Sequence, residues 1–186
     1  FAIVFIDPGA QKVFLIRDRL GQKPLFYTHN SEKLVFSSTL KSLALLEKNT
    51  KVNYKSMVDY LDYGVVPSPN TIFQNINKLA PAEIIEFDIS KNIKINSKQT
   101  YWNIEDKIDF QPFDKEKFDS LLSHAVSKRL DADVPIALFL SGGIDSSSIV
   151  KQVHTLNKDL KTFSVGYSDP KYDESQWSNL VSDTYS

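Results

Sequence analysis

The stretch Ile136-Ala137-Leu138-Phe139-Leu140-Ser141-Gly142-Gly143-Ile144-Asp145-Ser146-Ser147 decides the reading of the second half of the chain. A continuous apolar run of strand length leads into a glycine pair, and a helical pattern through Ile149, Val150 and Val153 follows. The run predicts a buried parallel strand that delivers the chain to the carboxyl edge of a sheet, where such folds bind ligands. Gly142 and Gly143 let the backbone turn sharply and approach a phosphate with no Cβ in the way. A helix starting there offers free N–H groups and its positive dipole end to an anion. Ser141, Ser146 and Ser147 add hydroxyl donors. Asp145 is repelled by phosphate unless a hard cation stands between them, which assigns it to Mg2+. The spacing is not the G-x-x-x-x-G-K-S/T of a Walker A loop, and the lysine that reaches the β- and γ-phosphates is missing. A grip on pyrophosphate as leaving group fits better than transfer of a terminal phosphoryl group. The rival reading, a glycine-serine turn that binds nothing, leaves the upstream strand, the downstream helix and the Asp-Ser-Ser tail unexplained.

Working outward, Asp114 predicts an N-cap for a helix with the apolar stripe Phe118, Leu121, Leu122, Ala125, Val126 and Leu130. Lys161 to Tyr167 reads as a second strand. Asp173-Glu174-Ser175-Gln176 has capping-box spacing and predicts one more helix. Helix, strand, helix, strand, helix is the rhythm of an open α/β sheet with crossover helices. The first half differs. Ala2–Ile6 and Lys12–Arg17 are strands around the turn Asp7-Pro8-Gly9, followed by Leu25–Thr28 and Lys33–Ser37. Short helices fall at Leu40–Glu47 and around Met57, Val58 and Leu61. Pro67 and Pro69 force an extended loop over residues 64–70. Glu83–Ile89 and Ile93–Ile95 form a hairpin. The expected division is a β-rich domain over residues 1–104, a polar linker over 105–113, and an α/β domain over 114–186.

Composition narrows the classes. Hydrophobic residues make up 41% and charged residues 24%, which places the chain among globular proteins. A formal net charge of -1 gives no reason to expect nucleic acid or an anionic membrane as partner. No apolar run approaches the roughly 20 residues of a membrane span, and Phe1–Ile6 lacks the basic flank of a signal peptide. The absence of cysteine excludes disulfides, thiolate metal sites and a cysteine nucleophile within these 186 residues, and it suits a reducing, cytoplasmic setting. His29, His124 and His154 lack the mutual spacing of a metal site and read as surface or satisfied residues. With no initiator Met, a start inside a strand and an end inside a helix, the chain reads as a piece of a longer protein.

Several collinear motifs carry a family resemblance. Ser141–Ser147 matches S-G-G-x-D-S-S of N-type ATP pyrophosphatases. Arg17-Asp18-Arg19-Leu20-Gly21-Gln22-Lys23-Pro24-Leu25-Phe26-Tyr27 resembles the R-D-x-x-G-x-K/R-P-L-F/Y-Y segment of glutamine-dependent asparagine synthetases. The match continues through Phe36-Ser37-Ser38, Lys41-Ser42-Leu43, Pro69 to Pro81, Asp133-Val134-Pro135 and Thr162-Phe163-Ser164-Val165-Gly166. The resemblance implies the end of an N-terminal-nucleophile glutaminase domain followed by the start of an adenine nucleotide α-hydrolase-like domain, both incomplete. It implies an ATP- and Mg2+-dependent ligase that adenylates the aspartate side chain and amidates it with ammonia from glutamine. A paralogue acting on another carboxylate, such as a sugar acid or a β-lactam precursor, and a non-catalytic nucleotide-binding protein stay open, as does a homodimer.

Carried over by position, Leu140 and Val165 contact adenosine at two strand ends, chiefly through backbone groups with both side chains buried. Ser141, Gly142, Gly143, Asp145 and Ser146 hold the pyrophosphate. The family's glutaminase nucleophile has no counterpart here, so these residues alone are expected to be inactive. Thr39 stands where relatives usually carry glutamate, and Ala82 where they carry glycine. Arg17, Asp18, Arg19 and Lys23 read as a structural, charged turn near the domain interface before a catalytic one. Tyr101 and Trp102 read as packing residues. Asp173 and Glu174 both fall where the nucleotide edge is expected, and helix capping explains Asp173 with fewer assumptions.

Overall fold

The computed structural model describes residues 1–47, 50–156 and 161–185, which fall into two compact units, Phe1–Asp109 and Phe110–Ser186. In the first unit, β1 (Ala2–Asp7) and β2 (Lys12–Arg17) pair antiparallel across the Asp7-Pro8-Gly9 turn. Next come β3 (Phe26–His29), β4 (Leu34–Ser37), α1 (Leu40–Leu46), α2 (Tyr54–Tyr63), β5 (Asn77–Lys78), β6 (Glu83–Asp88) and β7 (Lys94–Thr100). They form two antiparallel sheets, ordered β1-β2-β6-β7 and β4-β3-β5. Period-2 alternation sets the core. Val13 and Leu15 on β2 lie opposite Phe87 and Ile85 on β6, and all four join Leu25, Tyr27 and Leu79 in one buried cluster fed by both sheets.

Asn53 caps α2 by accepting from the Ser56 N–H, and Gly64 ends it in the left-handed conformation at φ 71°. Residues 64–70 form a loop as expected, but one that turns instead of staying extended: the Asn70 N–H donates to the Pro67 carbonyl at 3.0 Å across a cis Ser68–Pro69 bond. The hairpin's second strand runs on to Thr100, well past Ile95. Its sequence KINSKQT is polar because that strand is largely exposed, and its register comes from backbone pairing to β6. A short 3-10 turn, Glu105–Lys107, precedes the boundary.

The second unit opens with α3 (Lys115–Ser127), capped by Asp114, whose Oδ1 accepts from the Lys117 N–H at 3.0 Å. Then come β8 (Ala137–Phe139), α4 (Ile144–Thr155), β9 (Lys161–Phe163) and α5 (Ser175–Tyr185). β8 and β9 pair in parallel on either side of α4, the crossover arrangement the rhythm predicts. Both strands are shorter than read, and two burial expectations need correction. Phe139 is 85% exposed where a buried strand was expected, and Val165 is 65% exposed where a buried side chain was expected. Val165 lies beyond the end of β9 at Phe163. Phe139 and its ladder partner Phe163 are both exposed, so no described element covers that face of the two-stranded ladder. Leu140 is 1% exposed, as expected. Among the described residues, no helix is long and apolar enough to cross a membrane.

Candidate functional site

The loop between β8 and α4 is ordered by its own hydroxyls. Ser141 Oγ accepts from the Gly143 N–H at 3.3 Å and lies 3.1 Å from Ser146 Oγ, which donates to the Gly143 carbonyl at 3.2 Å. Gly143 is the N-cap of α4, and no side chain caps that helix, in contrast to α2 and α3. The uncapped first turn presents N–H groups and a positive dipole end. Asp145 is exposed on that turn.

The two glycines do different work. Gly142 has φ +84°, and a Cβ there would lie 2.5 Å from Trp177 Cβ and 2.6 Å from the Ser178 backbone nitrogen. Its missing side chain makes room for the start of α5. At Gly143 a Cβ would meet only Ser141 Oγ at 3.4 Å, an ordinary contact. Ser147 also departs from expectation: its Oγ is buried without a hydrogen-bond partner, so it faces the interior and is not displayed as a donor.

A cleft of about 210 Å3 lies at the carboxyl ends of β8 and β9, lined by Phe139, Leu140, Ser141, Phe163, Ser164, Val165, Tyr167, Glu174 and Ser178. Of the residues read as candidates, Leu140, Ser141 and Val165 meet here, while Gly142, Gly143, Asp145 and Ser146 stand in the adjoining loop. Leu140's backbone is engaged: its N–H donates to the Phe163 carbonyl at 2.9 Å, and its carbonyl accepts from Ser164 Oγ at 2.6 Å. Val165 has no hydrogen-bond partner among the described residues, so its backbone groups stay available. The cleft is smaller than the roughly 300–1,000 Å3 of typical ligand pockets and has room for one moiety of a larger ligand. Sequence reading did not single out Ser164, Tyr167 or Ser178. Ser164 sits within the quoted Thr-Phe-Ser-Val-Gly motif, whereas Tyr167 and Ser178 reach the cleft only through the path of the chain after β9.

No group of three or more His, Cys, Asp or Glu side chains suited to a metal occurs among the described residues. Mg2+ usually takes one or two carboxylates and completes its shell with waters and substrate phosphates. One exposed carboxylate beside an uncapped helix start fits that mode. The histidines hold no site either, although His29 is not satisfied: its Nδ1 is buried without a partner. Its ring stacks on Tyr27 and meets the edge of Phe87 at 5.2 Å, and burial together with Lys98 pushes its pKa down.

In the charged segment of the first unit Arg17 and Asp18 turn inward, while Arg19 and Lys23 are exposed. Arg17, 4% exposed, donates from Nε to the Lys23 carbonyl at 2.9 Å and from its two terminal nitrogens to the Leu79 and Gly21 carbonyls. Asp18 accepts from the Gln22, Lys23 and Leu20 N–H groups at 2.9, 3.1 and 3.2 Å. The Gln22 bond, with that from Lys23, holds the Asp18 carboxyl well below the usual range despite the opposing effect of burial. Gly21 has φ +63°, and a Cβ there would meet the Arg17 guanidinium at 2.9 Å. Tyr101 Oη donates to the Arg17 carbonyl at 2.7 Å, and Arg19 lies over the Trp102 ring at 5.9 Å. All of this is structural chemistry.

Residues 1–102 match a family model described as a glutamine amidotransferase domain, and residues 117–186 one described as asparagine synthase. The chain is 38% identical over 196 residues to a putative glutamine-hydrolysing asparagine synthetase 2 of Methanocaldococcus jannaschii, an alignment covering 100% of this chain and 37% of that protein. It is 32% identical over 181 residues to glutamine-hydrolysing asparagine synthetase 1 of Bacillus subtilis, covering 94% of this chain and 27% of the relative. It is 34% identical over 164 residues to amidase chry2 of Gibberella zeae, covering 85% and 24%. The chain thus spans between 24% and 37% of the length of these relatives.

Proposed function

Because the chain belongs to the glutamine-hydrolysing asparagine synthetase family, we propose that the protein activates the aspartate side chain with ATP, releases pyrophosphate, and forms asparagine with ammonia from glutamine. Residues 1–104 are assigned to the glutaminase domain, 105–113 to a linker, and 114–186 to the ATP-pyrophosphatase domain. The observation that carries the reading is the uncapped start of α4 directly after a parallel strand, with Ser141 and Ser146 hydroxyls beside it. Anions bind there through backbone N–H groups and the helix dipole.

In this reading Ser141, Gly142, Gly143 and Ser146 hold the pyrophosphate half of ATP. Leu140 and Val165 flank the adenosine half at the two strand ends. Asp145 would hold Mg2+, and the metal would supply charge neutralisation for the departing pyrophosphate. The chemistry needs that activation: a carboxylate resists ammonia, whereas an acyl adenylate offers AMP as a good leaving group.

The test uses the full-length protein. Pyrophosphate release from ATP should depend on aspartate, and ammonia or glutamine should then yield asparagine. Asp145→Ala is expected to lower that release by about a hundredfold or more with the fold intact. Unchanged release removes the Mg2+ assignment, and release indifferent to aspartate removes the acceptor assignment. Similarity to proteins named amidases favours one second reading, a paralogue that amidates a different carboxylate. A panel of carboxylate acceptors in the same assay separates the two.

A further inference from the structure

Two adjacent carboxylates precede α5, and the structure uses them differently. Asp173 Oδ1 accepts from Ser175 Oγ at 2.6 Å and from the Ser175 and Tyr167 N–H groups at 3.3 Å each, so Asp173 orders the approach to the helix. Glu174 takes no part in that network. Its backbone carbonyl accepts from the Trp177 and Ser178 N–H groups at 3.0 and 3.2 Å, which fixes where the residue stands. Its carboxylate has no hydrogen bond or ion pair among the described residues, and Glu174 is the one charged residue among those lining the cleft at the ends of β8 and β9.

A carboxylate only accepts hydrogen bonds, so the ligand part beside it must present O–H, N–H or a cation. Polyphosphate is repelled by like charge unless a cation stands between, the alternative that the Mg2+ dependence below tests. The cleft's own chemistry narrows the choice: Phe139, Leu140, Phe163 and Val165 supply apolar walls, and about 210 Å3 seats a single moiety. A nucleoside fits such a slot, and its vicinal hydroxyls offer two donors to the two carboxylate oxygens, as acidic residues do for ribose in other nucleotide folds. We propose that Glu174 is a specificity-determining residue that reads the ribose hydroxyls of the bound nucleotide. The inference rests on the ATP reading above.

The test is equilibrium binding of Mg-ATP and Mg-2′-deoxy-ATP to the full-length protein and to its Glu174→Gln and Glu174→Ala variants. Wild type should prefer ATP by about tenfold to a hundredfold, the range for a hydrogen bond to a charged group. In Glu174→Ala the preference should fall to near one through weaker ATP binding, with Glu174→Gln in between. Melting curves should be unchanged, since the carboxylate has no protein partner. A preference that survives in Glu174→Ala overturns the inference. So does a rise in the Mg2+ concentration needed for binding with the preference unchanged, which would make Glu174 a metal-facing group. Wild type that folds yet does not bind ATP overturns the ATP reading itself, an outcome distinct from the other two.

Discussion

In the segment from Arg17 to Lys23, Arg17 and Asp18 turn their polar groups inward onto the backbone, whereas the segment from Leu140 to Ser147 leaves several facing outward. Both contain glycine and clustered polar residues, and the first is the more highly charged. In the first, the Arg17 guanidinium is matched to three carbonyls and the Asp18 carboxylate to three backbone N–H groups. In the second, hydroxyls brace the loop, but the start of α4 has no side-chain cap and Asp145 stands exposed. Charge density in a sequence therefore does not mark a site. What remains unpaired after folding does, because an unmet donor or acceptor at a surface is available to a ligand.

The largest expected effect breaks the inward loop. Arg17→Ala strips the partner from three carbonyls and should cost about 3–5 kcal/mol, read by denaturant unfolding. Ser146→Ala in the outward loop should cost under about 1 kcal/mol. Equal costs would erase the contrast between the loops. Next, Gly142→Ala should cost about 2–4 kcal/mol, combining a left-handed backbone with a clash against α5, while Gly143→Ala stays within about 1 kcal/mol. A reversed order would mean that Gly143, not Gly142, is the packed position.

A smaller effect depends on pH. The pKa of His29 is lowered in the folded state, so below its ordinary value near 6.5 the unfolded chain binds the proton and the folded chain does not. Stability should fall as pH drops from about 7.5 through that value and on toward the depressed folded pKa. His29→Phe should flatten this dependence in unfolding midpoints measured across the range. The smallest effect is a gain. Ala82 is buried with φ 55°, a conformation that favours glycine, so Ala82→Gly should stabilise the protein by about 0.5–1 kcal/mol. A loss would show that the buried methyl outweighs the backbone strain.

Much of the fold was legible before any coordinates. The β-rich runs Ala2–Ile6 and Lys12–Arg17 with the turn Asp7-Pro8-Gly9 marked the first hairpin, and Asp114 caps α3 as its position predicted. Each signal is local, carried by a β-rich run, a turn or one capping hydrogen bond. Less legible was β7, whose polar residues hide a strand defined only by its partner β6. The separate work of Asp173 and Glu174 was less visible. Capping-box spacing marked Asp173 as the cap, but α5 begins at Ser175, so Asp173 stands one residue before the capping position and accepts from Ser175 and Tyr167 instead, while Glu174 is the one that lines the cleft.

The sequence by itself determined the elements, the strand–glycine–helix loop and the family, because those rest on local pattern and collinear motifs. Only the tertiary structure decided that Gly142 clears space for α5, that Ser147 turns inward, and that Val165 stays exposed beside a buried Leu140. These depend on which distant segment arrives at a given atom. Trp177 and Ser178 lie 35 and 36 residues from Gly142 in the chain, and no local periodicity reports their approach within 3 Å of a missing Cβ.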